Sequence, residues 1–436
     1  MKRPLHLNLF IYGRGHHEAA WRHPSSTPRA LTDVDHTISC ARIAESAHFD
    51  SIFLADTLNL PPDVDSSARL WLEPLTTLGA VAHATSRIGL IATASTSHTE
   101  PFNLARQFAS LDHISRGRVG WNIVTSFSIA GSRNFGSGRL SHAERYDKGE
   151  EFVQVVKALW DSWSDDAVID DRNGGVYMRK DRVRAIDHRG VAYEVAGPLN
   201  LPRSPQGWPV LVQAGSSDTG RDFAARHAEA VFTAHIDKST AVAFYQDIKA
   251  RTVASGRRPD QLLVLPGISA MIAGTETQAK RLERELNELS DPKVGLTRLS
   301  DRFDGHDFSH LKLDQILAPE DFPDPALNES SRGRIELIVG AVRRERLTLR
   351  QLLGKLAGAR GHFVMAGTPE QVAATIEDWV DTGAADGFNV MPPLLPVMLE
   401  AFTAEVVPIL QRRGRFRTAY DGTTLRDHYR LDRPAA

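Results

Sequence analysis

Eight continuous apolar runs, each followed by a helical pattern, constrain this chain more than any other feature. The runs cover 5–12 (LHLNLFIY), 51–56, 87–96, 118–126, 209–215, 230–235, 262–273 and 386–392. Strands exposed on one face alternate apolar and polar residues, whereas uninterrupted apolar runs belong to strands covered on both faces of a parallel sheet. Helical periodicity fills the gaps at about 33–48, 73–84, 102–115, 142–163, 218–228, 238–254, 275–289 and 369–383, and a further helix at 396–412 closes the series. The fourth is the clearest, with Phe152, Val153, Val156, Leu159, Trp160 and Trp163 on one stripe. About eight strand–helix units predict α/β architecture, a TIM-type (β/α)8 barrel with insertions. An open doubly wound sheet is the competing arrangement.

Two stretches break the alternation. Residues 164–208 carry a polar, glycine-containing run and then alternating residues, which predicts an inserted hairpin. Residues 291–361 carry many charges, prolines and glycines, with Phe303, Phe308, Leu311, Leu313 and Phe322 as apolar anchors. This stretch is expected to act as a lid over a bound ligand. The tail from about 413 is polar and is expected to wrap a partner subunit. Residues 1–436 are otherwise expected to form a single barrel domain.

Charge and cysteine content exclude several classes. Lys and Arg number 52 against 54 Asp and Glu, so no broad basic field exists to hold nucleic acid. The one cysteine, Cys40, lies in an apolar stretch and reads as a small buried hydrophobe. No run approaches the ~20 apolar residues of a membrane span. A cytoplasmic enzyme is expected. Gly13-Arg14-Gly15-His16-His17-Glu18 lacks the third glycine and the following helix of a dinucleotide fingerprint. His17-Glu18-Ala19-Ala20-Trp21 lacks the second histidine of a zinc motif, and no metal is expected.

In a barrel of this type the chemistry sits where the strands end. The residues there are rich in hydroxyls, amides and histidines: His16 and His17 after the first run, Asp56 at the second, Thr93 and His98 at the third, and Asn122 on the fourth. Two helix starts suit a phosphate, because free backbone N–H groups and the positive end of the dipole point outward there. One is Ser141-His142-Ala143-Glu144, a capping box with His142 and Tyr146 on one face. The other is the turn Gly215-Ser216-Ser217-Asp218-Thr219-Gly220. Helix capping alone also accounts for Ser141 and Ser217.

Long segments of the chain resemble one family. They are HLNLFIYGRGHHEAAWRHP (6–24), FDSIFLAD (49–56), the stretch from EPLTTLGAVAHATSRIGL to GWNIVTS (73–126), HAERYDKGEEFVQVVKALWDSW (142–163) and PVLVQAGSSDTGRDFAARHAEAVF (209–232). Together they resemble the bacterial luciferase-like flavin monooxygenases, in the branch of nitrilotriacetate monooxygenase component A, dibenzothiophene-sulfone monooxygenase and long-chain alkane monooxygenase. The likeness is weakest over 164–208 and 291–361.

The resemblance implies the oxygenase component of a two-component system. Such a protein uses reduced FMN, supplied by a separate NAD(P)H:flavin reductase, and O2 to oxygenate a small organic substrate. Sulfone, aminopolycarboxylate, alkane and haloaromatic types all fall within the branch. A homodimer or homotetramer is expected. Asp56 is then expected at the flavin ring edge and Thr93 and Asn122 near the isoalloxazine. His142, Tyr146, Ser216 and Ser217 are expected on the phosphate, the same set that capping picks out. His16, His17 and His98 are the candidates for acid–base work. A deazaflavin-dependent reductase of the same superfamily and a non-enzymatic flavin-binding protein are the alternative readings.

Overall fold

A computed structural model describes residues 4–435 apart from 61–63, 65, 67, 69, 127, 137, 139 and 325–331. Its centre is a closed barrel of eight parallel strands: β1 (His6–Ile11), β2 (Ser51–Leu54), β3 (Gly89–Ser95), β4 (Val119–Val124), β5 (Val210–Gln213), β6 (Ala230–Thr233), β7 (Leu263–Ile272) and β8 (Gly387–Val390). Neighbours pair in chain order, and β8 returns to β1 with His6 opposite Gly387. These are the eight apolar runs, and the open-sheet arrangement is excluded by the β8–β1 pairing. The helices Val34–Ser46, Pro74–Ala84, Pro101–Ser115 and His142–Trp160 follow β1 to β4 as the periodicity predicts. Among the described residues no helix is long and apolar enough to cross a membrane.

Two apolar layers hold the barrel. The outer one joins strand side chains such as Leu7, Leu9 and Ile52 to helix residues such as Phe108, Phe152 and Trp160. The inner one fills the barrel with Phe53, Ile91, Val210, Val212, Phe232, Leu263 and Leu265. Leu425 and Tyr429 belong to this inner layer. The tail therefore folds back on its own barrel, where the sequence suggested a partner. Gly89 and Gly120 make room for it, since a Cβ on either would stand 2.5 Å and 3.2 Å from the Leu425 methyls.

A buried polar cluster locks this plug in place. Tyr429 Oη and Ser51 Oγ both donate to Asn8 Oδ1 at 2.9 Å. Beside them, Asp50 accepts from Leu7 N at 2.7 Å, pairs with His6 at 3.0 Å, and pairs with Arg417 of the tail. Burial by itself would raise the Asp50 pKa. Arg417, His6 and the Leu7 N–H outweigh it and hold the carboxyl below its ordinary value.

The two insertions differ from their sequence reading. Residues 164–208 contain two short antiparallel hairpin pairs instead of one, Val168–Asp171 with Val176–Met178 and His188–Arg189 with Glu194–Val195. Residues 291–361 contain helices at Pro292–Arg302, Arg332–Glu345 and Leu349–Ala359. Leu299, Phe303, Phe308, Phe322, Ile338, Leu349 and Leu352 give this segment a hydrophobic core of its own. It is thus a small helical unit, whose helices went unread because glycines and prolines interrupt their periodicity. The chain leaves through the outer end of β7, which continues beyond the barrel and pairs in parallel with the strand Phe363–Gly367. The insertion consequently lies on the side where the strands end. The strand Phe363–Gly367 was not anticipated, because its five residues follow directly on a glycine-rich turn.

Candidate active site

The capping signals at 141 and 217 act as read, and the fold brings the two helix starts together. Ser141 Oγ accepts from Glu144 N at 3.3 Å while Glu144 accepts from Ser141 N at 2.7 Å. Ser217 Oγ accepts from Gly220 N at 3.2 Å, at the start of the helix Asp218–His227. The two helices pack side by side, with the Tyr146 ring edge-on to Phe223 at 5.8 Å. This carries the Tyr146 hydroxyl over the second helix start. A Cβ placed on Gly220 would lie 2.9 Å from Tyr146 Oη and 3.1 Å from Ser217 Oγ. His142 lies against Tyr146 with ring centroids 4.8 Å apart. Ser216 directs its carbonyl to Arg221 Nε at 2.9 Å, and Arg221 is anchored on Asp247. The result is a cradle of hydroxyls and backbone N–H groups at a helix start, the chemistry that receives a phosphate monoester.

Thr93 and Asn122 are direct partners across β3 and β4. Both are buried, and Asn122 Nδ2 donates to Thr93 Oγ1 at 2.9 Å. Among the described residues Asn122 Oδ1 is buried with no hydrogen-bond partner, an acceptor available to a ligand N–H. Asp56 follows β2 at the mouth, where burial, and then Glu73, raise its pKa. Phe10, Phe53 and Phe232 run across the barrel interior with centroids 4.5 Å and 4.8 Å apart. The sequence reading passed over this aromatic row as ordinary strand core.

The three histidines do not share one environment. His16 Nε2 donates to Phe10 O at 2.8 Å, and its Nδ1 accepts from Arg360 at 2.8 Å. Burial, then the Arg360 charge, push its pKa well below the ordinary value. His17 Nε2 donates to Asn287 Oδ1 at 3.2 Å and its Nδ1 accepts from Ala19 N at 3.2 Å, with the pKa again lowered by burial. His16 thus ties the loop after β1 to the end of the insertion through Arg360, and His17 ties it to the helix Glu276–Glu288 through Asn287. His98 instead stacks on Phe135 at 4.7 Å and reaches Ser132 at 3.4 Å.

A pH dependence follows. The unfolded chain takes up protons on His16 and His17 near their ordinary pKa of about 6.5, while the folded chain does not until lower pH. Their contribution to stability is complete above that value and is lost as pH falls below it. The insertion is therefore expected to be cut by protease faster at pH 5.5 than at pH 7.5, with the barrel intact. Equal cleavage rates at both pH values would contradict this.

Hydroxyls at two helix starts, a buried amide and an aromatic row at the mouth of a (β/α)8 barrel are an arrangement suited to a flavin. The model of the luciferase-like monooxygenase family matches residues 14–386. The chain belongs to that family and is a flavin-dependent monooxygenase. N-acetyl-S-(2-succino)cysteine monooxygenase of Bacillus subtilis (strain 168) is 45% identical, with 99% of this chain and 98% of the relative covered. Nitrilotriacetate monooxygenase component A of Aminobacter aminovorans is 44% identical, with 99% and 97% covered. Among solved structures, the EDTA monooxygenase of Chelativorans sp. BNC1 superposes with a TM-score of 0.86 at 34% identity, covering 99% of each chain.

Proposed function

We propose that the protein is the oxygenase component of a two-component system that binds reduced FMN and oxygenates a small polycarboxylate. The observation that carries the cofactor is the cradle at Gly220, whose missing side chain leaves Tyr146 Oη and Ser217 Oγ facing one small space. FMN ends in a phosphate monoester that suits it, and the residues present fit the group. Tyr146 and Ser217 would hold the phosphate through their hydroxyls, with His142 and Ser216 completing the rim. Asn122 Oδ1 accepts from the ring and Thr93 orients that amide. Asp56 stands at the ring edge.

Reduced flavin supplies the electrons by which one atom of O2 enters the substrate and the other leaves as water. The protein positions substrate and ring and keeps water out. Burial lowers the pKa of His16 and His17, which favours their neutral form. His98, half-buried, is the more open of the three candidates for holding or moving a proton. Burial, then Lys148, lower its pKa, so it is neutral near pH 7 and serves as an acceptor.

Two relatives at 45% and 44% identity are named for N-acetyl-S-(2-succino)cysteine and nitrilotriacetate. Both compounds are polycarboxylates built round a sulfur or a nitrogen, which favours that class over alkanes and haloaromatics here. These relatives favour the monooxygenase over the deazaflavin reductase reading.

The protein alone is expected not to oxidise NADH in the presence of free FMN. Adding a purified flavin reductase should start oxygen consumption. Rapid NADH oxidation by the protein alone, followed at 340 nm, would refute a two-component system.

A further inference from the structure

A second constellation of reactive groups lies on the face of the barrel opposite the mouth, where the helices end. Glu150 and Lys157 are seven residues apart in the helix His142–Trp160, so two turns bring them onto one side. That side meets His227, the last residue of the helix Asp218–His227. His227 Nε2 donates to Glu150 Oε1 at 2.6 Å, and Lys157 Nζ donates to His227 Nδ1 at 3.3 Å. The Lys157 ammonium also lies 5.0 Å from the centroid of Trp208, whose Nε1 donates to Asp161 at 2.7 Å. Among the described residues no carboxylate forms an ion pair with Lys157. The acids around it are engaged elsewhere, Glu150 with His227 and Arg226, and Glu229 with Arg426 and the Leu211 N–H.

Electrostatics set where the protons sit. Burial by itself would raise the Glu150 pKa, but His227 and Arg226 outweigh it and bring the carboxyl down to about 2. An ionised carboxylate only accepts, so the imidazole proton is on Nε2 and the Nδ1 lone pair faces the lysine. Burial lowers the His227 pKa, which leaves the ring neutral near pH 7. Burial also lowers the Lys157 pKa, to about 8, with Glu229 and Glu150 pulling it up and Arg257 and Arg426 pushing it down.

We propose that Lys157 is a nucleophilic amine that takes an acyl group from an acyl phosphate, with His227 as its base and Glu150 as the residue that orients the base. A nucleophile within hydrogen-bond reach of a base, itself held by a third group, is the arrangement that activates a weak nucleophile, whatever the fold. Arg257 selects the donor. It bonds the carbonyls of Ala225 and Gln261 at 2.9 Å and 2.8 Å, with no carboxylate paired to it among the described residues, so its charge draws an anionic reagent to the amine. In the reaction the Lys157 nitrogen attacks the acyl carbon, and the carbon–oxygen bond to phosphate breaks with its electron pair on the phosphate. The proton lost by nitrogen passes to His227 Nδ1 and then to the phosphate. An amide and inorganic phosphate result, with no change of oxidation state. The amide is uncharged and lies against the Trp208 indole.

The full-length protein incubated with acetyl phosphate, with each lysine followed by peptide mass spectrometry, tests this. At pH 7.5 roughly a quarter of amines with a pKa near 8 are neutral, against about one in a thousand for an ordinary lysine. Lys157 should therefore react about tenfold or more faster than the exposed Lys180 and Lys312. Its rate should rise with pH through an inflection near 8. His227→Gln should slow Lys157 by at least about tenfold and leave Lys312 unchanged, because glutamine offers no base. Glu150→Gln should slow it less, since the base remains and only its orientation is loosened, and it carries the comparison if His227→Gln does not fold. Acetic anhydride, an uncharged donor, separates the two parts of the proposal. Lys157 should keep its lead with the anhydride, and Arg257→Gln should slow the reaction with acetyl phosphate alone. Lys157 reacting no faster than Lys312 with either donor, or at an unchanged rate without the His227 base, would overturn the nucleophile. A lead with the anhydride alone would overturn the acyl phosphate as its donor.

Discussion

Tyr146→Phe and Gly220→Ala are each expected to weaken FMN binding strongly while leaving riboflavin binding nearly as it was. Tyr146 Oη stands 2.9 Å from the place a Gly220 Cβ would fill, and Ser217 Oγ stands 3.1 Å from it. Removing the hydroxyl deletes one hydrogen bond to a charged oxygen, worth about 1.5–3 kcal/mol, or roughly 10–150-fold in affinity. The alanine acts differently. It places a methyl group in the cradle itself, so the phosphate and the methyl compete for one space, and the expected loss is at least as large. Riboflavin lacks the phosphate and reports any indirect effect on the ring site. Fluorescence titration of both ligands against both variants gives the answer. Parallel weakening of riboflavin and FMN would show that these residues act on the ring or on folding.

The second large effect lies at the opposite end of the barrel. Asp50 is fully buried, and its partners are Arg417 of the tail, His6 and the Leu7 N–H. Removing one member of a buried ion pair costs about 3–5 kcal/mol, because the other charge remains without compensation. Asp50→Ala is expected to lose that much in a denaturant titration. The sign of the pH effect follows from the lowered pKa. In the unfolded chain the carboxyl titrates near 3.9, and in the folded one below that. Its stabilisation is complete above the unfolded value and is lost as pH falls through the folded one. Asp50→Asn should flatten the acid side of the stability profile as well as lower the plateau. A wild-type acid limb in the Asn variant would place the acid sensitivity elsewhere.

These two sites show how differently a sequence reports its contents. The capped helix starts proposed to cradle the phosphate were legible because their parts are local. Ser141 and Ser217 are caps three residues ahead of the N–H they satisfy, and His142 and Tyr146 are one helical turn apart. The count of strands was legible for the same reason, and the serine turn does follow the fifth strand, which puts the cradle on a different part of the rim from the common barrel phosphate site after the seventh and eighth strands. The surroundings of the histidines were not legible, because a residue type carries no burial with it. His16 and His17 are held by Arg360 at the end of the insertion and by Asn287 in the helix before it, 344 and 270 positions away. The insertion in turn looked like a loop. Its glycines and prolines interrupt the periodicity, while the apolar residues of its core come from five separate stretches between 299 and 356.

By itself the sequence determined the class of the fold, the order of the eight strands and the two capped helix starts, since hydrophobic period and helix capping act over at most one helical turn or one strand. Only the tertiary structure decided that Leu425 and Tyr429 close the barrel, that His16 and His17 are buried, that Arg360 lies over Tyr12 and that His362 fills the space beside Gly267. Each of these depends on a register between segments far apart in the chain. The glycines that receive them, Gly89 and Gly120 for the plug and Gly267 for His362, state in the sequence only that a side chain is missing. What fills the space is settled by the closure of β8 on β1 and by the return of the insertion along the outer half of β7.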